Sequence, residues 1–193
     1  MSLPIEYEAT FLDIDVPKIR RQLKKIGAKK IYAPFLQKRY NFDLPKDKRG
    51  SWLRLRQEKG KITLSLKVVG GKRMTDQKEI CLHINDLDLA RQLLLYIGCK
   101  QRAYQENWRE LWKINNTEIT IDHWPFLNPY LEIEANSESK VKKVCQLLGL
   151  DYKTALFGSA DRIYAKKYKI PLRRIDYHTP RIVFNMRNPF LKK

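Results

Sequence analysis

The chain is poor in the residues on which several common chemistries depend. Its 193 residues include three cysteines, three histidines and eight glycines. Cys81, Cys99 and Cys145 show no CxxC spacing. Neither a zinc ribbon nor a disulfide framework is expected, and all three read as small buried apolar residues of a reducing compartment. His83, His123 and His178 fall at no metal-ligand spacing, and each reads as a surface or packing residue. A glycine-rich phosphate loop is absent, as is a GxSxG elbow, which sets aside P-loop and α/β-hydrolase chemistry. No apolar run approaches the length of a membrane helix, and the N-terminus lacks the apolar core of a signal peptide. The expectation is a soluble, cytoplasmic protein with no membrane contact.

Acidic residues are scarce relative to basic ones. With 21 Asp+Glu against 39 Lys+Arg, the formal net charge is +18. Such a balance attracts polyanions such as nucleic acid, polyphosphate and nucleotides, and it is silent about fold. A hydrophobic share of 43% excludes a disordered chain, and the length suits one domain with room for an appendage.

What the sequence does contain is alternation. Ile5 to Phe11 and Tyr130 to Ala135 place charged and apolar residues in turn, the period of a half-buried strand. Glu6 and Glu8 fall on one face of the first, and Glu132 and Glu134 on one face of the second. Carboxylates two apart on a strand lie about 6–7 Å from each other. At an effective dielectric of about 20 they repel by roughly 2.5 kcal/mol per pair. Those faces must meet water, basic side chains or a cation.

The rest follows in order. Asp15 caps a helix starting near Val16, with Pro17 in its first turn, Ile19, Leu23 and Ile26 as its stripe and Gly27 at its end. Residues 29–42 read as a long strand interrupted at Pro34, followed by a polar loop over 45–50. Ser51 to Gln57 and Ile62 to Val68 form a hairpin about Lys59-Gly60, and Gln77 to Ile84 adds a strand. A second helix, capped by Asn85 or Asp86, is expected to turn Leu89, Leu93 and Tyr96 or Ile97 inward. Strands follow over 100–114, 117–124 and 130–135. A third helix begins at Ser137, with Val141, Val144, Cys145 and Leu148 inward, and a last one runs from about Thr154 to Tyr168. Beyond Ile170 the chain carries Arg173, Arg174, Arg181, Arg187, Lys192 and Lys193, with Asp176 as its lone acid. Residues 171–193 read as a basic extension, partly disordered in isolation, able to contact polyphosphate or RNA and to add one short edge strand over 182–184.

The polar strand faces collect Glu6, Glu8 and Thr10; Arg54 and Arg56; Thr63, Ser65 and Lys67; Glu79; Arg109; Thr120 and Asp122; Glu132 and Glu134. The opposite faces are apolar, and the helices bring single apolar stripes that need a surface. The arrangement that satisfies both is α+β: a closed eight-stranded antiparallel barrel with a charged lumen, its apolar outer faces covered by helices. Guanidinium and ammonium groups neutralise phosphoryl oxygens, while clustered carboxylates hold a hard divalent cation such as Mg²⁺ or Mn²⁺.

Glu6-Tyr7-Glu8 resembles the ExExK signature of CYTH domains, the triphosphate tunnel metalloenzymes. Leu53-Arg54-Leu55-Arg56, Leu64-Ser65-Leu66-Lys67, and Ile121-Asp122 ahead of Leu131-Glu132-Ile133-Glu134 follow in that family's order, over residues 4–168. The resemblance implies a tunnel domain spanning 1–170 that binds a triphosphate with divalent metal. It implies metal ligation by Glu6, Glu8, Asp122, Glu132 and Glu134, and phosphate binding by Arg54, Arg56, Lys67 and Arg109. Glu6, Glu8 and Glu134 would carry catalysis, and Glu79 would be a further lumenal acid. Thr10 stands where the signature has lysine, and Trp108 stands near Arg109 where many members have lysine; Lys38 or Arg39 is a candidate to make up the missing charge. Three activities stay open: hydrolysis of tripolyphosphate, thiamine triphosphate or a nucleoside triphosphate; adenylate cyclisation; and polyanion or RNA binding without catalysis.

Overall fold

A computed structural model describes residues 3–46 and 50–191. Positions 47–49 of the expected polar loop, and Lys192 and Lys193 of the tail, lie outside the described residues. The strands are β1 (Tyr7–Phe11), β2 (Lys29–Asp43), β3 (Ser51–Glu58), β4 (Lys61–Val69), β5 (Gln77–Ile84), β6 (Lys100–Ile114), β7 (Thr117–His123), β8 (Tyr130–Ala135) and the two-residue β9 (Arg181–Ile182). The helices are α1 (Val16–Lys25), α2 (Leu87–Tyr96), α3 (Glu138–Leu147), α4 (Ala160–Tyr168) and α5 (Leu172–His178).

The eight long strands form one curled antiparallel sheet in the order β1-β8-β7-β6-β2-β3-β4-β5. Its two edges approach each other at one end. Ile5 bridges Lys78, the Glu6 N–H donates to the Gln77 carbonyl at 2.9 Å, and the Glu79 N–H donates to the Pro4 carbonyl at 3.2 Å. Further along, the free edge of β1 turns to another segment, where Thr10 and Leu156 exchange backbone hydrogen bonds of 3.0 and 2.9 Å. The expected strands are all present. Between β1 and β5, however, the described residues make one bridge rather than a ladder, so the observed architecture is a curled sheet. Pro34 acts as expected: it lacks a donor, and the β2–β6 register shifts between Tyr32 and Phe35.

The outer surface is the apolar one. The Asp15 carboxylate accepts the Lys18 N–H at 2.9 Å and starts α1, which buries Ile19 and Leu23. With Val141, Val144, Cys145 and Leu148 of α3 and its C-terminal cap, these cover Ala9, Phe11, Ile119, Ile121, Leu131 and Ile133 of the sheet. Helix α2 departs from expectation. It buries Leu94 against Phe42 and Leu55, while Leu89, Leu93, Tyr96 and Ile97 are exposed. Cys81 is likewise exposed, unlike Cys99 and Cys145.

The basic extension is built into the fold. Ile175 of α5, Ile182 of β9 and Phe190 join Trp124, Tyr130, Ile163 and Tyr164 in a second apolar cluster. β9 pairs in parallel with Tyr104 and Gln105 of β6. The edge strand expected over 182–184 is therefore Arg181–Ile182, and its apolar neighbours are buried because β6 outruns β7 and leaves backbone groups to satisfy.

Candidate functional site

The sheet curls around a cavity of about 610 Å³ lined by side chains from all eight long strands. Period-two alternation puts them there: these side chains point inward because their neighbours along each strand point to the opposite face.

On one wall, carboxylate oxygens of Glu6, Glu8 and Glu134 lie within 4.8 Å of one another. Lys67 Nζ donates to Glu6 Oε1 at 2.6 Å and to Glu79 Oε2 at 3.0 Å. Burial raises the Glu6 carboxyl to about 7 despite Lys67, with Glu79 and Glu134 adding repulsion. Glu8 is pushed well above the ordinary carboxylate range by burial and then by Glu132 and Glu6. Glu79 behaves oppositely: burial opposes ionisation, but Arg54 and Lys67 hold its carboxyl below the usual range.

A second acidic group sits on β7 and β8 and is engaged by one base. Arg109 donates from Nε to Asp122 Oδ1 at 2.8 Å and from Nη2 to Asp122 Oδ2 and Glu132 Oε2, both at 2.6 Å. Asp122 is fully buried and also accepts from Thr120 at 3.0 Å. Burial lifts the Glu132 carboxyl to about 8, with Asp122 adding repulsion and Arg109 opposing it. The five expected metal ligands thus divide. Glu6, Glu8 and Glu134 cluster, with Glu6 also paired to Lys67, while Asp122 and Glu132 are held by Arg109.

The opposite wall is basic. Arg54 pairs with Glu79 at 2.9 Å, and Arg56 Nε lies 3.4 Å from Glu58. Arg39 is buried with them. The Nε atoms of Arg39, Arg54 and Arg56 are buried without a hydrogen-bond partner, as are Thr63 Oγ1 and Ser65 Oγ. Buried donors in that condition are costly unless a ligand meets them.

Two sequence expectations need correction. Lys38 is exposed on the outer face, so of the two candidate cations only Arg39 reaches the cavity. Trp108 is also exposed; the inward neighbour of Arg109 is the fully buried Asn107. Thr10 stands across from Glu132 and brings no cation. Sequence reasoning overlooked Gln37, Glu58, Asn107 and Trp124. The alternation Gln37, Arg39, Asn41 was available as a signal, masked by the irregularity around Pro34.

Clustered carboxylates on one wall and buried guanidiniums on the other, inside an inward-polar antiparallel sheet, are the architecture these residues build. The CYTH domain matches residues 4–160, and the chain belongs to the CYTH domain family. It is 30% identical over 169 residues to a Methanocaldococcus jannaschii protein named "Putative adenylate cyclase", a match covering 85% of this chain and 96% of that one. A Vibrio parahaemolyticus structure given the same description superposes with a TM-score of 0.73 at 16% identity, covering 85% of this chain and 99% of that one. A Hippeastrum protein, described as an adenylyl cyclase with a dominant triphosphatase activity, is similar with a TM-score of 0.55 at 15% identity, covering 86% and 98%.

Proposed function

We propose that this protein binds a triphosphate with a divalent cation inside the cavity of its curled sheet, and hydrolyses it. The observation that carries the reading is the pairing of walls: the clustered carboxylates of Glu6, Glu8 and Glu134 against the buried guanidiniums of Arg39, Arg54 and Arg56, whose Nε atoms make no hydrogen bond. The all-oxygen donor set, with Glu6 and Glu8 raised by burial and then by neighbouring carboxylates, fits a hard cation, Mg²⁺ or Mn²⁺. Glu6, Glu8 and Glu134 would hold it, and when bound it supplies positive charge to the phosphoryl oxygens.

The remaining work belongs to the chain's own side chains. Arg54, Arg56 and Lys67 take phosphoryl oxygens and stabilise the charge that shifts toward the leaving group. Lys67 is now shared between Glu6 and Glu79, so a phosphate arriving beside it competes with two carboxylates. Arg109 is pinned by Asp122 and Glu132, and its charge is aimed rather than mobile. A carboxylate of the Glu6, Glu8, Glu134 wall would accept the proton of the attacking water. The dominant triphosphatase activity described for the Hippeastrum protein supports hydrolysis; the adenylate cyclase name of the archaeal relative supports cyclisation as the second reading.

³¹P NMR of the protein with Mg²⁺ or Mn²⁺ tests this, with tripolyphosphate, thiamine triphosphate and ATP offered in turn. Orthophosphate should appear and should cease in Glu134→Gln. Pyrophosphate with cyclic AMP would make the protein a cyclase instead. Binding without turnover of any of the three would leave a phosphate binder and overturn hydrolysis.

A further inference from the structure

We infer that Arg39 is a phosphate-anchoring residue, kept as an uncompensated cation by two amide side chains that separate it from the nearest carboxylates. The inference rests on the triphosphate-binding reading and extends it to a residue of β2.

Arg39 is 6% exposed, and among the described residues no carboxylate lies within ion-pairing distance of it. Buried guanidiniums that serve structure are ordinarily paired with carboxylates. Here Nη2 donates to Gln37 Oε1 at 3.0 Å and to Asn107 Oδ1. Each amide passes its own donor onward: Gln37 Nε2 to Glu58, and Asn107 Nδ2 to Asp122 Oδ1 at 2.8 Å. Both carboxylates are thus one side chain away from Arg39, and each is already engaged by another guanidinium, Asp122 by Arg109 and Glu58 by Arg56. The guanidinium retains its full charge.

Its position is fixed from below. The guanidinium carbon lies 4.4 Å from the centroid of the Trp124 ring, a stacking geometry that holds the planar fork without neutralising it. Nε is buried and has no partner. Burial, followed by the nearby charges of Arg54, Arg56 and Arg109, drives the Arg39 pKa down to about 9. Guanidiniums repelling one another inside one cavity await an anion, and phosphoryl oxygens match the fork bidentately. Asn107→Lys in an Arg39→Gln background returns one cation to the neighbourhood of Arg39, which tests charge against shape.

Isothermal titration with inorganic tripolyphosphate, on the full chain with and without Mg²⁺, reads the affinity of wild type, Arg39→Gln, Arg54→Gln and the double variant Arg39→Gln/Asn107→Lys. Arg39→Gln should weaken binding about ten- to a hundredfold, the worth of one charge-assisted contact. The double variant should recover most of that loss. Without ligand, Arg39→Gln should melt no lower than wild type, because the lost cation had no counter-charge, and the tripolyphosphate-induced rise in melting temperature should shrink. If Arg39→Gln binds within twofold of wild type while Arg54→Gln has lost binding, the assignment of Arg39 fails and the triphosphate reading stands. If Arg39→Gln melts lower yet keeps its ligand-induced rise, Arg39 is structural. If Arg54→Gln and Arg39→Gln both bind as wild type does, the triphosphate reading falls with it. Should Arg39→Gln not fold, the double variant decides: wild-type-like binding supports the assignment, and weak binding by a folded protein overturns it.

Discussion

Arg109 and Arg56 line the same cavity, yet their partners assign them different energetic roles. Arg109 satisfies two carboxylates, one of them fully buried. Replacing it with Gln strands those charges, and breaking a buried pair from one side costs about 3–5 kcal/mol. Urea denaturation of Arg109→Gln should show that loss. Arg56 has one ion-pair contact, at 3.4 Å, and burial with the adjacent Arg54 lowers its pKa. Arg56→Gln should stay within about 1 kcal/mol of wild type in the same measurement while losing affinity for tripolyphosphate. The carboxylates give a pH signature. Glu6 at about 7 and Glu132 at about 8 hold protons in the folded chain where the unfolded chain has released them near the ordinary value of about 4.3. Their contribution to stability is therefore present at acid pH and lost as pH rises toward 8. Glu79 and Asp122, held below the usual range, act only at lower pH. The metal-free melting temperature should fall from pH 5 to pH 8, less steeply in Glu6→Gln, and saturating Mg²⁺ should flatten the slope. A rise across that window would show that these carboxyls are not raised. At this scale the sequence was legible wherever alternation was clean: Glu6, Glu8, Arg54, Arg56, Lys67, Glu132 and Glu134 all face the cavity. It was illegible where two neighbours competed for one role. Choosing Arg39 over Lys38, and Asn107 over Trp108, requires knowing which face of a shifted β2–β6 register points inward.

Among the elements, strands were easier to read than helices. β5, β6 and β8 begin and end where period two begins and ends, because pleat geometry ties side-chain identity to face. For α1 and α3 the apolar stripe at helical spacing is also the buried stripe. Helix α2 breaks that rule. Leu89 and Leu93 form a stripe but stay exposed, and the helix is anchored instead through Leu94, Leu87 and Ala90. A helix with apolar residues on several sides does not announce which one meets the sheet. In the tail, arginines and prolines dominate the composition and only 182–184 stood out as a strand, yet Ile175, Ile182, Val183 and Phe190 are each no more than 3% exposed. Those residues close over Trp124 and Tyr164, and Trp124 in turn supports Arg39. A chain ending at Ile170 should therefore lose several kcal/mol of stability by the area bookkeeping for buried large apolar side chains, with a lower melting temperature and quenching of a more exposed Trp124. A truncated chain that melts as the full chain does would return the tail to the status of a free arm.

For the molecule as a whole, the formal charge of +18 and the cavity's charge are separate quantities. The cavity lining holds ten bases and nine acids, so its charges nearly balance. The excess positive charge therefore lies outside the cavity, on helices, loops and strand ends. Charge in that position acts on approach, since fields from exposed groups reach about a Debye length, roughly 10 Å at 0.1 M salt. Charge in the cavity acts on what has already arrived and is screened far less. The two should separate in steady-state kinetics with tripolyphosphate. Raising NaCl from about 50 mM to about 300 mM should lower kcat/KM several-fold while kcat stays nearly constant. Reversing exposed lysines such as Lys166 and Lys167 to glutamate should weaken that salt dependence without altering kcat. A kcat that falls in parallel with kcat/KM would place the salt-sensitive charge at the reacting phosphates, and the outer surface would have no part in capture.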